Sequence, residues 1–144
     1  MTIKQALKQK NKLVKSIAEN TKLMQQHNSV EVGNQRPYSS TQLYKEIQKD
    51  TKELASLKAK IHIANTPVME DIFWMSEMKS TIAALKKMDC TEGRSNRDRF
   101  RMESEVVLTS EISLVSRNQE IKMLEAKIEE IQDKLDTFNA TTEI

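Results

Sequence analysis

Residues 113–139 read SLVSRNQEIKMLEAKIEEIQDKLDTFN, and the fold follows from how the apolar residues recur in this stretch. Leu114, Ile121, Leu124, Ile128, Ile131, Leu135 and Phe138 hold a heptad register over more than three repeats, with Arg117 the one polar residue in the seam. A repeat of 3.5 residues keeps one stripe of an α-helix facing a partner along its length. Ser113 has the hydroxyl that an N-cap requires. The stretch therefore predicts a helix over about 113–139 and a helical neighbour to cover its seam.

Moving toward the N-terminus, the same logic applies three more times. Val68, Ile72, Met75, Met78, Ile82, Leu85 and Met88 share a face, with Glu70 and Asp71 in the first turn and Lys86 and Lys87 near the end, as the helix dipole favours. This predicts a helix over about 67–90. Leu43, Ile47, Leu54, Leu57, Ile61 and Ala64 predict another over about 40–64, broken in its seam only by Asp50. Ser39 and Gln42 are spaced to close a capping box at its start, with Tyr38 placed to staple onto Leu43. Asn65, Thr66 and Pro67 stop that helix and begin the next, since Asn65 tolerates a left-handed position, Thr66 caps and Pro67 suits a first helical residue.

The first helix, about 3–27, sets Ile3, Ala6, Leu7, Leu13, Val14, Ile17 and Met24 on one arc and Lys4, Lys8, Lys12, Lys15 and Lys22 on the other, with Lys10 leaning toward the apolar side. Gly33 allows a left-handed turn after it. Between the third and fourth helices, about 94–112, the run EVVLTSEI holds a β-branched cluster that suits a short strand. The expected fold is mainly α: one domain, 1–144, of elongated antiparallel helical hairpins or a bundle with coiled-coil character, and a short β-hairpin or arm before the last helix.

Composition agrees. The 144 residues include two glycines, two prolines and 4% aromatics, so no glycine-rich loop of the kind that cradles phosphate can be assembled. The formal charge of +2 argues against a generic nucleic-acid coat. A lone cysteine, Cys90, forms no internal disulfide and fits a reducing cytoplasm, as does an N-terminus without the apolar core of a signal peptide. No apolar run approaches the ~20 residues that span a bilayer. His27 and His62 lack metal-ligand spacing, and Cys90 has no base nearby in sequence, so neither a metal site nor a cofactor nor a catalytic group is expected. Trp74, the single tryptophan, is expected as a core or interface anchor.

One concentration of chemistry stands out. Four of the six arginines, Arg94, Arg97, Arg99 and Arg101, fall in one connector with Phe100 beside them, although the chain uses lysine seventeen times elsewhere. Guanidinium groups hold phosphate or carboxylate through paired donors. The competing use is a subunit contact with acids such as Glu125, Glu129 and Glu130. The C-terminal NATTEI adds the hydroxyls of Thr141 and Thr142 beside Glu143, either as part of a ligand site or as a terminal latch.

The opening lysine-rich helix, NSVEVGNQRPY (28–38), IHIANTP (61–67), the short β segment and the tail NATTEI (139–144) resemble the septicolysin-like family of small bacterial and phage proteins. The resemblance implies an all-helical, oligomeric, cytoplasmic protein with no activity to carry over. The family's name suggests a cytolysin, which a sequence without long alternating strands or a membrane-length apolar stretch does not support. Two functions are thus expected. The first is a non-enzymatic homo-oligomer that binds, and in a phage setting sequesters, an anionic nucleotide-like ligand through Arg94, Arg97, Arg99 and Arg101, with Thr141 and Thr142 contributing. The second is a coiled-coil scaffold or adaptor for protein partners, with the arginines forming subunit contacts. Neither needs a membrane or sequence-specific nucleic acid.

Overall fold

The computed structural model describes residues 1–94 and 106–144. The chain is mainly α-helical, with a two-stranded antiparallel β-hairpin inserted before the last helix. The helices are α1 (Ile3–His27), α2 (Ser40–Ala64), α3 (Met69–Lys87) and α4 (Leu114–Thr141); the strands are β1 (Gly93–Arg94) and β2 (Val107–Leu108). Two compact units result, one of Met1–Val68 with Asp136–Ile144, the other of Met69–Leu135.

In the first unit α1 and α2 form an antiparallel hairpin. Ala6, Leu57 and Ile61 are buried together, with Leu7, Leu13 and Ile144 packed against them. Polar rungs fix the register: Gln9 Nε2 donates to Glu53 at 2.6 Å, Ser16 Oγ to Asp50 at 2.7 Å and Asn20 Nδ2 to Glu46 at 3.4 Å. Asp50, the polar break in the α2 seam, is thus answered across the hairpin by a serine. The lysines of α1 lie as the periodicity predicts, with Lys4, Lys8, Lys12, Lys15 and Lys22 exposed and Lys10 half-buried.

The start of α1 is tied to the end of α4. Thr2 caps α1, its hydroxyl accepting the Gln5 amide while the Gln5 side chain accepts the Thr2 amide. Residues 142–144 leave α4 extended and pair with residues 1–3: the Ile3 amide donates to the Thr142 carbonyl and the Ile144 amide to the Met1 carbonyl, both at 2.9 Å. This pairing satisfies backbone groups that a free tail would leave to water. NATTEI is a latch onto α1.

In the second unit, Met78, Ile82 and Ile121 are buried, as is Leu135. Lys134 Nζ reaches Asp71 at 2.5 Å, and Arg117 Nη1 donates to the Met88 carbonyl at 3.4 Å. Together these contacts place α3 and α4 antiparallel, the two residue numbers of each pair having the same sum. Arg117, the intruder in the α4 seam, meets the carbonyl end of α3, where a cation suits the helix dipole.

Several details differ from expectation. Leu114 and Val14, both expected in apolar seams, are exposed. Asn65 is right-handed, with φ −79° and ψ −6°, and its amide donates back to Ile61; a 3₁₀ turn over Thr66–Val68 changes the chain direction instead. At Ser39 only half of the capping box forms, because the Gln42 side chain turns to Glu46. Helix α3 stops at Lys87 rather than about 90, since the Asp89 carboxylate takes the Thr91 amide at 2.9 Å and closes a local turn.

Candidate functional site

Of the four arginines, the structure describes Arg94 alone. It is the second residue of β1, opposite Val107 and exposed. Arg97, Arg99 and Arg101, with Phe100, lie outside the described residues. Gly93, at φ 87°, supplies the left-handed turn that lets the chain enter the hairpin. The two threonines are placed by the latch. The Thr141 hydroxyl donates to the Thr137 carbonyl of its own helix at 2.9 Å, and the Thr142 carbonyl accepts the Ile3 amide. The Thr141 hydroxyl thus serves α4 and the Thr142 carbonyl its junction with α1, in the first unit, whereas Arg94 belongs to the second.

Among the described residues, no three His, Cys, Asp or Glu side chains gather as metal ligands. No described helix is long and apolar enough to cross a membrane.

Two surface features emerge that the arginine pattern did not signal. On α3 the apolar seam turns inward, and a second arc turns outward. Phe73 is 64% exposed and Trp74 53%, and with Met69, Glu70, Asp71 and Glu77 they line a shallow groove of about 720 Å³. At 100° per residue, Glu70, Phe73, Trp74, Glu77 and Thr81 share this outer arc, and no lysine of α3 falls within it. Two large aromatics left half in water by their own chain are unusual, because each gains most from full coverage.

On the first unit, Lys49, Lys52 and Lys60 border a groove of about 420 Å³ lined also by exposed Met1 and by the edge of buried Leu57. Glu53 also lines it, held by Gln9, so that three ammonium groups face one carboxylate. The groove is accordingly cationic at its rim and apolar at its base.

Comparison with family models, with curated proteins and with solved structures gives no match.

Proposed function

We propose that this protein is a non-enzymatic, cytoplasmic helical scaffold that acts by association, first with copies of itself. The observation that supports this reading is the outward exposure of Phe73 and Trp74 on α3. Aromatic side chains of this size dominate interface energies, since each removes a large apolar area from water and loses little side-chain entropy. The heptad registers of α2 and α4 fit the same role, as does the septicolysin-like resemblance. The single thiol, Cys90, accords with a reducing compartment. Sedimentation equilibrium tests the reading: the mass should exceed the 16.6 kDa of one chain and rise with concentration, and a constant 16.6 kDa would refute it.

The arginine connector supports a second reading, in which the oligomer captures a phosphorylated, nucleotide-like ligand. Arg94 stands at the entrance of a segment that carries three more arginines within seven residues. A ligand bound only by the folded state raises the melting temperature by mass action. Thermal shift across a nucleotide panel is the test, and no stabilisation by any member would remove this reading without touching the first.

A further inference from the structure

Charge is divided between the two units. The first holds twelve basic and seven acidic side chains, the second eleven basic and fourteen acidic. The outer arc of α3 follows the second unit, with Glu70 and Glu77 flanking Phe73 and Trp74; the α1–α2 groove follows the first, with Lys49, Lys52 and Lys60 around an apolar base. The two surfaces are thus complementary in charge, and each offers apolar area at its centre.

Building on the scaffold reading, we infer that the α3 aromatic arc of one copy docks into the lysine-rimmed α1–α2 groove of a second copy. A symmetric contact of α3 with α3 is disfavoured, because it brings Glu70 and Glu77 of each copy to the same surface, and like charges in a desolvated contact repel. The heterologous contact instead joins carboxylates to ammonium groups and sets Trp74 against Met1 and the aliphatic stems of the lysines. Because the two docking surfaces differ, a bound pair keeps one of each free, and association continues head to tail. The apolar area is small compared with the roughly 800 Å² per partner of a standard interface, so the contact is weak and depends on electrostatic attraction.

The test uses the full chain and charge reversal. Lys49→Glu with Lys52→Glu, and separately Glu70→Lys with Glu77→Lys, should each weaken self-association by about tenfold or more in sedimentation velocity. An equimolar mixture of the two variants should recover it, and that recovery also shows that both are folded. Trp74→Ala, which alters no charge, should weaken association comparably at unchanged helical circular dichroism. Failure of the mixture to recover overturns the inference, as does wild-type association by Trp74→Ala. Both outcomes leave the scaffold reading standing, whereas a wild-type chain that stays monomeric removes both.

Discussion

Thr2 and Ser39 both cap helices, yet their surroundings differ. Thr2 sits in a complete reciprocal box with Gln5, while Gln42 leaves the Ser39 box half open. Thr2→Ala should cost about 1 kcal/mol and Ser39→Ala a similar amount, as losses of a hydroxyl cap. The glutamines should separate them: Gln5→Ala destabilises α1, and Gln42→Ala leaves the α2 cap intact. Urea unfolding gives the totals, and hydrogen exchange at the Thr2 and Gln42 amides locates them. The Lys134–Asp71 pair is short, but its side chains are 63% and 27% exposed, so solvent screens it. A double-mutant cycle should return a coupling below about 1 kcal/mol that shrinks with added salt.

Among the helices, the seams carry the stability. Met78 is 2% exposed and Ile121 7%, and truncating either to alanine should cost about 2–5 kcal/mol, the sum of lost transfer energy and the cavity left behind. Val14 falls on the apolar arc of α1 but is 47% exposed, so Val14→Ala should stay within about 0.5 kcal/mol. The latch gives a third expectation: deleting residues 142–144 frees the Ile3 amide and uncovers Ala6 and Ile61, and should speed exchange throughout the first turns of α1.

This scale also shows what the sequence could reveal. Six of the seven seam positions in α4 were legible because heptad recurrence is a property of one helix alone, Leu114 being exposed at the helix start, and the Val107–Leu108 strand because β-branched residues cluster there. Asn65 misled, since tolerance of a left-handed conformation is no requirement for it, and a 3₁₀ turn met the same need with ordinary angles. The Thr2–Gln5 box was written in the sequence as T-x-x-Q and could have been read. Phe73 and Trp74 were harder. Periodicity says which side of α3 turns inward, but whether the other side is covered depends on the tertiary arrangement. The tail looked available for ligand because its backbone pairing depends on where the N-terminus lies, and the Thr141 hydroxyl because its bond to Thr137 depends on α4 running as far as Thr141.

For the molecule as a whole, the near-neutral total conceals a basic first unit and a more acidic second one. The Debye length is about 8 Å at physiological salt and shortens to about 3 Å at 1 M. Association that relies on this division should therefore weaken as salt rises, opposite to the behaviour of a purely apolar seam. Trp74 reports on it directly, as the single tryptophan of the chain. The decisive measurement is its emission maximum in the full-length protein across a concentration series at low salt. The account predicts a shift to shorter wavelength as concentration rises, reversed by salt. Emission fixed at the wavelength of a water-exposed indole throughout the series would contradict it.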